Sequence, residues 1–242
     1  MGESQHLQKE HLFDRIYEIL WGKIGSGEIA SGQRLKDIEW AEILNVSRTP
    51  VREAMRKMYQ EGILVPLANG GYQVKTFNET DLVNLYRCRA ALEAVAAQDA
   101  ALNATNEQIS NLKEIVDRCD LAIESKDKTA AFELNSKFHA EVLLISQNTY
   151  VRQVCESLRK MILFYRSSVL REANRNPGES EVYLSRLRIK QIHHKQILSA
   201  INNHDGDAAY RLMELHVRET VEDLLCSEQV NSNKKVAESE NG

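Results

Sequence analysis

Arg48, Arg52 and Arg56 recur at i, i+4 and i+8 within Val46-Ser-Arg-Thr-Pro-Val-Arg-Glu-Ala-Met-Arg56. A helix would set them on one face. Val51, Ala54, Met55 and Met58 recur at i, i+3, i+4 and i+7 and form a separate apolar stripe. A guanidinium can give two parallel hydrogen bonds to a guanine edge or clamp a phosphate. A short helix with one buried stripe and one arginine stripe therefore suits a DNA major groove. The plain alternative is a solvated arginine face on an ordinary helix hairpin.

Histidines form a second group. Asn135 and His139 are one helical turn apart, and His194 and His216 fall on two later helices, on or near their apolar sides. Imidazoles from three helices could converge inside a bundle, as metal sites in bundles do. They could equally be core histidines satisfied by hydrogen bonds. Arg89 lies among Ala90, Ala91, Leu92 and Ala94, where an unpaired guanidinium would be costly. It needs Glu93, another acid, or a ligand carboxylate. Tyr165 is a weaker candidate for the same cavity.

The elements that must position these residues are legible. Ser47 or Thr49 can cap the arginine helix, and Pro50 falls in its first turn, where a missing N–H costs little. The preceding helix is predicted from about Asp37, as N-cap, to Leu44, with Ile38, Ala41 and Leu44 buried. Asn45 tolerates the left-handed turn between the two. Helix, tight turn, helix is a DNA-reading motif. Two β-prone runs follow, Ile63–Pro66 and Tyr72–Lys75, around Asn69-Gly70-Gly71, a hairpin signal and so a wing. Upstream, residues 7–24 read as an amphipathic helix burying Leu12, Ile16, Ile19, Leu20 and Trp21.

From Thr76-Phe-Asn-Glu-Thr80, where Asn78 or Thr80 can cap, the pattern is all helical. Helices are predicted over 79–102, 105–125, 128–146, 149–173, 181–203 and 206–226. Residues from Ser227 are polar and aperiodic, a disordered tail. The organisation is thus 1–75, a linker at 76–80, a helical domain at 81–226, and a tail at 227–242. The chain of 242 residues has room for two cores. It has no apolar run of membrane-spanning length and no signal-peptide pattern, so a cytoplasmic place is expected. Cys88, Cys119, Cys155 and Cys226 are scattered without a Cys-x-x-Cys pair, which predicts free buried thiols. Residues 1–75 hold ten basic and ten acidic side chains, and the rest hold 21 and 25. The net charge of −4 therefore lies outside the arginine module, and DNA binding would depend on a local face rather than a general field.

Gly32-Gln-Arg-Leu35, Val46-Ser-Arg-Thr-Pro-Val-Arg-Glu-Ala54, Glu61-Gly62 and Gly71-Tyr-Gln-Val74 resemble the winged helix-turn-helix of GntR-type bacterial transcription regulators. Arg89-Ala-Ala-Leu-Glu93, Asn135-Ser-Lys-Phe-His139 with Ser146-Gln-Asn148, His194–Ile201 and Met213-Glu-Leu-His216 resemble the ligand-sensing FCD domain of its FadR-like branch. The resemblance implies a mainly α protein that binds double-stranded operator DNA through Arg34, Ser47, Arg48, Thr49, Pro50, Arg52, Asn69, Gly70 and Gly71. It implies a divalent metal site, of zinc, nickel or manganese type, at His139, His194 and His216. His194 is chosen over His193 because it leads the Ile197-Leu198-Ile201 stripe and matches the family position.

Metal-binding members carry aspartate where this chain has Asn135, a neutral and weaker ligand. Metal affinity is expected to fall, and an anionic effector could supply the missing carboxylate. Alternatively the histidines hydrogen-bond the ligand without metal. Arg89, Asn135 and Tyr165 are the candidate effector contacts, for a small organic acid. One winged helix offers few base contacts, so a homodimer on a palindromic operator is expected, as a repressor of a metabolic operon. Two other classes stand beside this reading. One is a metal-dependent enzyme using the three histidines; the other is a DNA-binding structural protein without an effector.

Overall fold

The computed structural model describes residues 2–221, with side chains from residue 12 onward except at residue 172. The predicted tail 227–242, helix residues 222–226 and Cys226 lie outside the described residues. The elements are α1 Gly2–Ser26, β1 Arg34–Leu35, α2 Asp37–Ile43, α3 Arg48–Gln60, β2 Leu64–Pro66 and β3 Tyr72–Val74. They continue as α4 Glu79–Asn103, α5 Asn106–Glu124, α6 Lys128–Ile145, α7 Thr149–Arg175 and α8 Pro177–Asn202. A further helix, α9, covers 206–221. Two compact units result: Met1–Phe77 with Ser157–Arg171, and Asn78–Glu156 with the chain from Glu172 on.

In the first unit α3 buries Val51, Ala54, Met55 and Met58, the stripe its period predicts. They pack with Ile16, Tyr17, Leu20 and Ile24 of α1, Trp40 and Ala41 of α2, and Phe164. Two expected core residues are exposed, Ile19 at 39% and Ile38 at 45%. The buried arc of α1 centres on residues 16, 17, 20 and 24, and that of α2 on Trp40 and Ala41; Ile19 and Ile38 lie round the helix from those centres. Asn45 takes the left-handed conformation, φ 51°, in the turn before α3. The sheet is antiparallel in the order β1-β3-β2, with Arg34 opposite Gln73 and Leu64 opposite Val74. The sequence suggested β2 and β3 but not β1; two residues carry too little alternation to announce a strand.

In the second unit the helix starts are set by side chains. Asn78 and Asp81 form a capping box at α4, and Thr105 and Gln108 form another at α5. Asp127 accepts from the Ala130 N–H at α6, and Asn148 from the Val151 N–H at α7. Each such cap is worth about 1 kcal/mol. The helix predicted from residue 181 begins at Pro177, because Asn176 caps it and proline is compatible with the first turn. Lys126, Gln147 and His204 take positive φ at the ends of α5, α6 and α8, where the predicted breaks fall. The face of α4 with Ala90, Ala94, Ala97 and Ala101 is fully or nearly buried, so neighbouring helices approach it closely. Cys119 and Cys155 are buried free thiols, whereas Cys88 is exposed, contrary to expectation, because it faces away from that alanine side. No described helix is long and apolar enough to cross a membrane.

Candidate functional site

The arginine helix α3 starts at Arg48 with Ser47 in the extended N-cap position, φ −70° and ψ 157°, without a side-chain cap bond. Ser47 and Thr49 are exposed and Pro50 is half-buried. Asp37, predicted as the cap of α2, is instead its first helical residue; Lys36 holds the cap position and makes no side-chain cap bond. The Asp37 carboxylate is engaged elsewhere. It accepts from Arg48 Nη2 at 3.2 Å and from Arg52 Nε at 3.0 Å. Burial disfavours its charge, yet the two guanidiniums hold its carboxyl below the usual carboxylate range.

The wing is braced from β1. Arg34 Nη2 donates to Asn69 Oδ1 at 2.9 Å and to the Gly70 carbonyl at 3.0 Å. Gly71 has φ 80°, and a Cβ there would stand 2.7 Å from the Leu35 carbonyl oxygen, so the position requires glycine. Arg34, Asn69, Gly70 and Gly71, all proposed from sequence, thus form one local construction.

The second unit gathers His139 of α6, His194 of α8 and His216 of α9, all buried. His216 Nε2 lies 3.2 Å from Nε2 of His194 and 3.2 Å from Nε2 of His139. Their outer nitrogens define the tautomers. His139 Nδ1 is 2.6 Å from Glu93 Oε2, and a carboxylate only accepts, so Nδ1 carries the proton. Gln191 Nε2 donates to the Val116 carbonyl at 2.6 Å, which turns its Oε1 toward His194 Nδ1 at 3.2 Å. With both Nδ1 atoms protonated, neutral His139 and His194 present bare Nε2 lone pairs to His216.

A cation placed among the three Nε2 atoms would face all of them. Two nitrogens at about 2.0–2.1 Å from a tetrahedral zinc stand about 3.3 Å apart, close to the observed spacing. The donor set therefore fits a divalent metal of the type that accepts imidazole. Burial and the neighbouring His194 and His139 push the His216 pKa well below the usual value, which favours its neutral imidazole. Asn135 is buried one turn before His139 on the same helix face.

Arg89 is buried, with Nε donating to Glu93 Oε1 at 2.7 Å. Burial opposes both charges. Glu93 nevertheless keeps the guanidinium pKa raised, and Arg89 with His139 holds the Glu93 carboxyl far below its usual range. Glu93, offered from the sequence only as a partner for Arg89, also meets His139, and Gln191 was not singled out from the sequence at all. Their signals were present in the i, i+4 spacing of Arg89 and Glu93 and the i, i+3 spacing of Gln191 and His194. Tyr165 falls instead in the first unit, its ring 6.4 Å from that of Phe77. His193 stands beside the cluster, edge-on to His216 and 3.7 Å from Glu219.

Two family patterns match. Residues 12–74 match the gntR family of bacterial regulatory proteins, and residues 84–219 match the FCD domain. The Nta operon transcriptional regulator of Aminobacter aminovorans is 34% identical over 137 residues, 56% of this chain and just under two thirds, 64%, of that protein. The HTH-type transcriptional repressor RspR of Escherichia coli K12 is 29% identical over 230 residues, covering 95% of this chain and 96% of RspR. The solved structure of E. coli McbR/YncC shares the fold with a TM-score of 0.70 at 20% identity, covering 90% of this chain and 98% of that one. With both patterns present in this order, the chain belongs to the GntR family and is a DNA-binding transcription regulator with an FCD domain, not an enzyme.

Proposed function

We propose that the protein is an effector-responsive repressor that binds a palindromic operator as a homodimer and senses a small carboxylate-bearing metabolite in its FCD unit. The observation that carries this reading is the convergence of three buried imidazole Nε2 atoms beside a buried Arg89–Glu93 pair. His139, His194 and His216 would hold a divalent cation. When bound, the cation would supply a positive centre for an effector carboxylate oxygen. Glu93 and Gln191 orient two of the imidazoles, as carboxylate and carbonyl partners do at metal sites. Asn135 adds no charge, so a site with this residue favours an anionic ligand more than one with aspartate would.

On the DNA side, the exposed face of α3 with Arg48 and Arg52 would enter the major groove while the wing tip at Asn69–Gly71 meets the backbone or minor groove. Repression is supported by the relative RspR, which aligns over 96% of its length and is named a repressor. Native mass spectrometry of the full chain, purified without chelator, tests the whole reading. It should report a dimer carrying one divalent ion per chain, and binding of organic acids should raise the melting temperature. A metal-free monomer that no organic acid stabilises would refute it.

A further inference from the structure

Asp37 is not needed as a helix cap, and its pairs with half-exposed arginines add little to stability. Its carboxylate nevertheless gathers both leading side chains of α3. Arg52 approaches Oδ2 through Nε and Nη2, each at 3.0 Å. This leaves the outer Nη1–Nη2 edge of Arg52, the edge that makes a bidentate contact with guanine. Arg48 meets the same carboxylate through Nη2 alone, at 3.2 Å from both oxygens. Asp37 is fixed in turn at the first residue of α2, where the helix dipole favours an anion.

We propose that Asp37 is a positioning residue for DNA reading: it aims Arg48 and Arg52 at base edges and cancels one of their two charges, so that it raises the ratio of operator to non-operator affinity. Non-specific binding follows the positive charge set against phosphates, whereas base readout follows donor geometry. A carboxylate between two guanidiniums weakens the first and sharpens the second. Residues 1–75 carry equal numbers of basic and acidic side chains, so removing one acid changes the balance of the whole module. The inference rests on the reading that the α3 arginine face meets DNA.

The test uses the full-length protein, a duplex selected from a random pool by the wild type, and a shuffled duplex of equal composition. Fluorescence anisotropy across a salt series reads both affinities. Asp37→Asn should tighten binding to the shuffled duplex several-fold and steepen its salt dependence by about one unit of log–log slope. The selected-to-shuffled ratio should fall about tenfold, within the range of one bidentate base contact. Asp37→Glu, which restores the charge, should recover most of the ratio. In an Arg48→Ala/Arg52→Ala background Asp37→Asn should leave the ratio unchanged. An equal gain on both duplexes, an unchanged ratio, or loss of folding in Asp37→Asn would overturn the inference. If Arg48→Ala and Arg52→Ala do not weaken DNA binding, the arginine-face reading itself falls. If they weaken it and the Asp37→Asn ratio holds, only this inference falls.

Discussion

In the first unit Asp37 sits between Arg48 and Arg52, whose side chains are 53% and 56% exposed. In the second, Glu93 sits between Arg89 and His139, and all three side chains are 6–8% exposed. Both clusters pair one carboxylate with two nitrogen bases at hydrogen-bond distance. Their surroundings make them different devices. Water screens the first and competes for its partners, so the pairs add little to stability. The second has lost water, and each member depends on the others to remain tolerable in the interior. An ion cluster at the surface can aim side chains outward at little cost to stability, whereas a buried one holds a site still.

The largest expected effect comes from breaking the buried cluster. Glu93→Gln leaves the Arg89 charge unpaired and should cost about 3–5 kcal/mol of stability. Asp37→Asn should cost under about 1 kcal/mol. Urea unfolding of the two variants checks the contrast directly, and equal losses would erase it.

DNA affinity should separate the clusters in the other direction. Arg48→Ala and Arg52→Ala should each weaken operator binding by about 1–3 kcal/mol, while their unfolding midpoints stay near that of the wild type. Competition anisotropy on a selected duplex measures the first and urea unfolding the second.

A smaller effect sharpens the role of the second unit. Gln191→Leu removes the acceptor that orients His194 and should weaken binding of zinc about 10–100-fold, the usual effect of losing a partner of a ligating histidine. Isothermal titration with zinc would read it. No change would mean that the orientation of His194 does not depend on Gln191.

The smallest effect is a pH dependence. The Asp37 carboxyl pKa is lowered in the fold, because Arg48 and Arg52 outweigh burial. A lowered carboxylate contributes stability above its unfolded pKa and loses it as pH falls through the folded value. Between Asp37→Asn and wild type the stability difference should therefore shrink on acidification below about pH 4, and stay under about 1 kcal/mol throughout. Thermal melts from neutral pH downward would show it.

Much of the fold was legible because it is written in neighbours. The α3 stripe, the Asn45 turn, the cap of α4, for which the sequence offered Asn78 or Thr80, and the helical breaks near Lys126, Gln147 and His204 all depend on residues within a turn or two of each other. Errors arose where an apolar residue could face either way. Ile19 and Ile38 satisfied a local period, but the neighbouring elements selected a different arc. The start of α8 was misplaced because Asn-Pro-Gly reads as a turn, while Asn176 and Pro177 in fact begin a helix.

The candidate site was legible in its residue types and in a family resemblance, and less so in its contacts. Spacing alone offered His139, His194 and His216 as separate helical residues. Their Nε2 atoms meet because α6, α8 and α9 pack together. Glu93 lies 46 positions before His139, and nothing local marks it as that residue's partner. Likewise Asp37 read as a cap from its own neighbourhood, whereas the turn between α2 and α3 returns the chain so that Arg48 and Arg52 reach it.

The sequence by itself determined which segments are helical, where most of them begin, and which face of α3 is apolar, because backbone hydrogen bonds and caps are satisfied within a few residues. Only the tertiary structure decided the tautomers of His139 and His194, the burial of the Arg89–Glu93 pair and the second use of Asp37. Those depend on which distant groups share a small volume without water, and a linear pattern does not carry that distance.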